Sequence, residues 1–236
     1  MKTNFTTQTL AQSAFNAAVA STLILTVISA GFLMVEPRIS HGQSDSATFR
    51  IRQTISDESS FLVDPVNVTM VGSINGLTGG NATGTTPFVV RSNNASGYYV
   101  NIAFTDNVGA YAMRGDESGS EGLRDFSGDV AGQPAYNFTA STAAQFGYAV
   151  YASTTLDADD SFLNNGTACN TGSTRTIGKC WKAPSTGVFR IIDRNTSASN
   201  GATSTIYFKV NVPSGPNPIP TAETYTATAT LTLFTQ

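Results

Sequence analysis

The chain carries a single histidine, His41, and two cysteines, Cys169 and Cys180. Serine and cysteine nucleophiles need an imidazole or equivalent base within hydrogen-bond reach. His41 stands at the end of an apolar leader, so the polar domain behind it has no imidazole of its own. Ser-His-Asp and Cys-His arrangements and histidine zinc sites are therefore excluded from that domain. Carboxylates are the remaining acid/base groups, and they gather in two places. Asp157, Asp159 and Asp160 precede Asn164-Asn165-Gly166, while Asp116, Glu117, Glu121, Asp125 and Asp129 occupy a Gly-rich stretch. Oxygen-rich loops of this kind could supply calcium ligands, although neither spacing follows an EF-hand and both equally suit solvated loops. No carboxylate pair stands out for glycoside hydrolysis. The expectation is a protein that is not an enzyme and has no cofactor, with solvated acidic loops the preferred reading and calcium at Asp157, Asp159 and Asp160 the alternative.

Aromatic side chains offer a different chemistry. Tyr99 and Tyr207 fall on the outward phase of alternating segments, and Trp181 follows Cys180 directly. These three are the candidates for stacking on a sugar ring. The competing reading makes the tyrosines cross-strand packing partners and sets Trp181 on the disulfide or the core beneath it.

The elements that would position these residues are strands. Charged residues make up 12% of the chain, about half the usual share, while hydrophobic residues reach 40%. Thr occurs 33 times, which suits the solvent faces of strands. Tyr225, Ala227, Ala229, Leu231 and Leu233 alternate with five threonines, the pattern of a half-buried strand. The same alternation marks Thr48 to Ile55 (Phe49, Ile51 and Ile55 inward), Tyr98 to Phe104 and Ile206 to Val212. Less regular candidates are Val66 to Val71, Thr86 to Arg91, Gln145 to Ala152 and Val188 to Asp193. A faint echo links Ala82 to Val90 with Ala202 to Val210, as if two hairpins sat at equivalent places in two facing sheets. Residues 106–133 are weakly patterned and read as a long surface excursion. The expected fold is all-β: an antiparallel β-sandwich, jelly-roll or immunoglobulin-like, in one domain over 44–236, preceded by a hydrophobic helix.

Residues 1–43 set the destination. No charged side chain lies between Lys2 and Glu36, and Ala17 to Val35 is an apolar run of nineteen residues. At ~1.5 Å per residue it spans roughly 28 Å as a helix, about a bilayer core. Two readings stay open: a long signal peptide cut near Ser40-His41-Gly42, or an uncleaved anchor with Lys2 inside. Both place the bulk of the chain outside the cytoplasm, where Cys169 and Cys180 would pair as a disulfide. Net charge is −3 with no basic cluster, which argues against nucleic acid as a partner. Membrane contact is expected only through residues 17–35, if uncleaved.

Two segments carry a resemblance: Val212-Pro213-Ser214-Gly215 with Glu223 to Thr228, and Arg91-Ser92-Asn93-Asn94 with Gly97 to Val100. The chain resembles exported bacterial β-sandwich proteins: the camelysin/TasA-like matrix proteins, WxL-type surface domains and uncharacterised exported proteins of small-genome bacteria. The resemblance implies a jelly-roll-like sandwich and a structural or adhesive role, with no catalytic residues to carry over. The functional expectation is an exported cell-surface or extracellular-matrix protein that self-associates through an edge strand, Ala47 to Ile55. The alternative is a carbohydrate-binding module presenting Tyr99, Tyr207 or Trp181 to surface glycans.

Overall fold

A computed structural model describes residues 5–34, 48–105, 111–139, 141–154 and 157–236. The chain divides into two compact units, Met1–Gln53 and Thr54–Gln236. The first is built around helix α1 (Phe5–Met34). Its hydroxyls turn back on the helix: Thr22 Oγ1 donates to Ala18 O and Thr26 Oγ1 to Thr22 O, each at 2.9 Å. That bonding removes free donors from an apolar surface. Among the described residues no helix is long and apolar enough to cross a membrane. The side chains that complete the apolar run, Ile28 and those from Ala30 onward, lie outside the described residues, as does Ser40-His41-Gly42.

The second unit is mostly β, with one disulfide, and its described residues include a 3₁₀ turn, Asp160–Phe162. Its strands are β1 (Ser59–Val63), β2 (Ile74–Asn75), β3 (Gly79–Ser92), β4 (Tyr98–Phe104), β5 (Met113–Gly115), β6 (Gly122–Asp125), β7 (Gln145–Ala152), β8 (Phe189–Arg194), β9 (Ala198–Val212), β10 (Tyr225–Ala227) and β11 (Ala229–Thr235). The large sheet runs β1-β3-β9-β7-β6-β5-β10, with β2 also on β3; the small sheet runs β11-β4-β8. Every pairing is antiparallel except β6 with β7.

Two bent strands connect the sheets. Phe104 pairs with Ala229, and the next ladder position after the break joins Met113 to Ala227. Thus β4 and β5 follow one line interrupted by residues 105–112, and β11 and β10 follow its partner line, interrupted only by Thr228. The result is a curled half-barrel. Its core holds Phe88, Val100, Ile102, Phe146, Tyr148, Ile191, Ile192 and Ile206, all buried.

The Ala82/Ala202 echo takes a different form from two hairpins in facing sheets. β3 and β9 are antiparallel neighbours within one sheet, with Ala82 opposite Val210 and Val90 opposite Ala202. β4, which follows β3, pairs with β11 in the small sheet, whereas β10, which follows β9, pairs with β5 in the large sheet.

Three further expectations are corrected. Thr48 to Ile55 is no strand: Phe49, Ile51 and Ile55 are 79%, 86% and 81% exposed. Alternation specifies a strand only where a sheet is present to pair with it. Ala47 lies outside the described residues. Val66 to Val71 leaves the ladder after Pro65. The Thr86 hydroxyl binds both Val66 N (2.8 Å) and Val66 O (3.0 Å), and only Val71 rejoins β3, opposite Thr83. The excursion at 106–133 is partly structural, since it contributes β5, β6 and the buried Met113, Leu123 and Phe126. Residues 106–110 lie outside the described residues.

Candidate functional site

The curl leaves one seam. The outer edge of β8 is covered, because Asp159 N donates to Ile191 O and Ala158 bridges Ile192. The edge of β10 and β11 away from β5 and β4 has no strand hydrogen-bonded to it, among the described residues. β1, the far edge of the large sheet, comes within 8 Å of β11 between Cα atoms without forming a ladder. Where residues 65–70 swing away from β3, the seam widens into a groove of about 700 Å³. Its apolar lining includes Met70, Met113, Leu123, Phe146, Phe208 and Leu231. The swing has a local cause at Gly84. A Cβ there would lie 2.4 Å from Val68 Cγ1, so only glycine lets Val68 pass over β3.

The rim at one end is acidic. The Glu223 carboxylate accepts from the backbone N–H of Glu117 (2.8 Å) and Ser118 (2.9 Å), with the Ser118 bond chiefly responsible for holding it below the usual carboxylate range. Glu121 binds the Thr221 hydroxyl, and Asp116 Oδ2 accepts from Thr226 Oγ1 at 3.0 Å. The exposed segment 48–55 places Phe49, Ile51 and Ile55 on one phase and Arg50 and Arg52 on the other. It therefore carries apolar side chains that suit the groove and cationic ones that complement the acidic rim.

The outer face of β7 and β9 carries a second, smaller aromatic cluster. Phe126, Phe138 and Trp181 pack over Ala149, with Tyr207 alongside. Phe138 stacks on Phe126 at 4.5 Å and meets the Trp181 ring edge-on at 5.3 Å. Trp181 is 6% exposed, and its indole N–H donates to Gly178 O at 2.9 Å. It packs in this cluster and also borders the groove formed with residues 67–71.

Tyr99 is occupied as well. Phe234 on β11 stacks on it at 4.9 Å, and the Arg190 guanidinium on β8 lies 4.2 Å from its ring centroid. β4 runs between those two strands, so the contacts come from opposite sides. Tyr207 differs: it is half-buried and makes no ring–ring contact among the described residues.

Asp157, Asp159 and Asp160 are not assembled as a ligand set. Arg194 NH1 donates to both oxygens of Asp157 at 2.8 Å, with side-chain exposures of 19% and 3%. Burial raises the Asp157 carboxyl above its ordinary range, and Arg194 opposes that rise. Asp159 Oδ1 is bound by Ser161 N and Ser161 Oγ, capping the 3₁₀ turn. Among the described residues no three metal-capable side chains converge. Cys169 and Cys180 are bonded, as the sequence led us to expect.

Sequence reasoning missed two members of the outer face, Phe138 and Lys209. Phe138 sits in Asn137-Phe138-Thr139, outside any alternating run. Lys209 lies on the Tyr207 phase of β9, two residues on, and that spacing was the available signal. No protein-family profile matches the sequence, and no curated protein is significantly similar to it.

Proposed function

We propose that this chain is an exported, non-enzymatic surface or matrix protein with a jelly-roll-like sandwich. Copies associate when segment 48–55 of one enters the seam of the next. The oxidised Cys169–Cys180 pair and the apolar leader support export. The observation that carries the assembly reading is a mismatch within one chain: an apolar seam whose β10–β11 edge has no strand hydrogen-bonded to it among the described residues, and an alternating segment outside both sheets whose Phe49, Ile51 and Ile55 are exposed. Strand addition satisfies both, because main-chain hydrogen bonds complete the edge and alternate side chains fill the groove. Arg50 and Arg52 would then face the rim of Glu117, Glu121 and Glu223. Electron microscopy of the concentrated protein tests this. Regular fibres or chains are expected, lost on Ile51→Asp with the fold intact by circular dichroism. Monodisperse monomer for the wild-type chain at high concentration would sink the proposal.

A further inference from the structure

A second groove adjoins the one at the seam, sharing Asn67, Val68, Thr69 and Phe208 with it, and reaches Tyr207 and Trp181 on the outer face of the large sheet. It is about 590 Å³ and lies between residues 67–71 and Gly178. Its lining includes Asn67, Thr83, Thr85, Trp181 and Tyr207. Tyr207 pairs with Thr85 on β3 and Ala149 on β7. Its direct cross-strand neighbours are thus short, and the half-buried ring lines the groove while packing against the Phe126–Trp181 cluster.

Two cations stand beside it. Lys209 Nζ is 4.9 Å from the Phe138 centroid and 5.9 Å from that of Trp181. Lys179 Nζ is 4.7 Å from the Tyr136 centroid and donates to Asn137 Oδ1 at 2.7 Å. Among the described residues neither has a carboxylate within 4.0 Å, whereas Lys182, Arg190 and Arg194 are each paired with one. Burial lowers the Lys209 pKa, and the charge of Lys179 lowers it further. In a chain of net charge −3, two mutually repelling ammonium groups on an aromatic bed form an electrostatic gap. An anion between them would fill it.

A ring face, hydroxyl-bearing rims at Thr83 and Thr85, and an unneutralised ammonium pair are what an acidic sugar needs: stacking, hydrogen bonds and charge. We infer that this groove binds an anionic saccharide, its pyranose ring on Tyr207 and its anionic group between Lys209 and Lys179. A neutral glycan would leave the two lysine charges without a counter-charge, and a free anion would leave the ring uncovered. This inference does not rest on the assembly reading: the two grooves share Asn67, Val68, Thr69 and Phe208, but Tyr207, Lys179 and Lys209 take no part in the assembly contact.

The test is calorimetric titration of the full-length chain in detergent with three probes: trigalacturonic acid, its methyl ester, and a glycerol-phosphate trimer. Trigalacturonic acid is expected to bind at least tenfold more tightly than the ester, and more weakly as salt rises. Preference for the glycerol-phosphate trimer, which has no pyranose ring to stack on Tyr207, would overturn the inference. Lys209→Met and Tyr207→Ala should each lower affinity at least tenfold, and Lys209→Arg should restore most of the first loss. If Lys209→Met fails to fold, Lys179→Gln, at a half-exposed position, replaces it with the same expectation. Equal affinity for acid and ester, no binding by any probe, or unchanged affinity in the folded lysine variant would each overturn the inference.

Discussion

Replacing Arg194 by Ala tests whether the acidic cluster at 157–160 serves the fold rather than a cation. The Arg194 guanidinium holds both Asp157 oxygens at 2.8 Å and reaches Ser197 O at 2.8 Å through NH2. It ties the segment before the 3₁₀ turn to the turn between β8 and β9. With Asp157 at 3% exposure, removing its partner leaves a buried carboxylate uncompensated. Such losses run to about 3–5 kcal/mol, and the partial exposure of Arg194 sets this one near the lower end, ~3 kcal/mol.

The pH dependence has a definite sign. Burial already raises the Asp157 carboxyl, and losing Arg194 raises it further. The folded variant then binds a proton more tightly than the unfolded chain, so stability rises as pH falls through the folded pKa. Urea unfolding followed by the fluorescence of Trp181, the sole tryptophan, gives both quantities. We expect a deficit of ~3 kcal/mol at pH 7 that narrows under acid, and a smaller deficit in the Arg194→Ala/Asp157→Asn double variant. Added calcium should leave all the midpoints unchanged. A loss below ~1 kcal/mol, within the range of exposed pairs, or a deficit independent of pH would refute the reasoning.

Three further outcomes are expected. Replacing Cys169 and Cys180 by Ser opens a loop of sequence separation 11 and should cost about 3 kcal/mol of stability, read by denaturant midpoint; an unchanged midpoint would contradict this. Burial pushes the Tyr98 hydroxyl up to about 12. The stability it contributes is present below about pH 10 and is lost as pH rises toward 12, where the unfolded chain ionises first. Tyr98→Phe should flatten the alkaline part of the pH–stability curve, and an identical slope in wild type and variant would count against that. Gly97 has φ +93°, and a Cβ there would lie 1.8 Å from Arg194 O, so Gly97→Ala should cost more than about 3 kcal/mol.

Much of the sheet framework was legible because alternation is a local signal. Tyr98 to Phe104 and Gln145 to Ala152 have the bounds of β4 and β7, since one or both faces of each are buried and the sequence records it. The terminal segment was legible as extended chain but not as two strands. Thr228 preserves the alternation while the partner changes from β4 to β5. The excursion concealed β5 and β6 because the run ending at Met113 stops at Arg114 and Leu123 stands between Gly122 and Arg124, stretches too short to show a period. Phe49, Ile51 and Ile55 misled for the opposite reason. Their pattern is that of a strand, but pairing depends on what lies alongside. The groove and the cation pair at Lys179 and Lys209 arise from tertiary placement, bringing together residues from β9 and the disulfide loop that no local window contains.

The central claim is that segment 48–55 belongs in the seam of another copy. Two singly substituted proteins, Ile51→Cys in one and Ala229→Cys in the other, test it directly when mixed and oxidised, since Ala229 lines the groove. The account predicts a disulfide between unlike chains that forms only in the mixture and maps to positions 51 and 229 by mass spectrometry. Absence of that heterodimer at high concentration, or a bond confined within one chain of the doubly substituted protein, would contradict it.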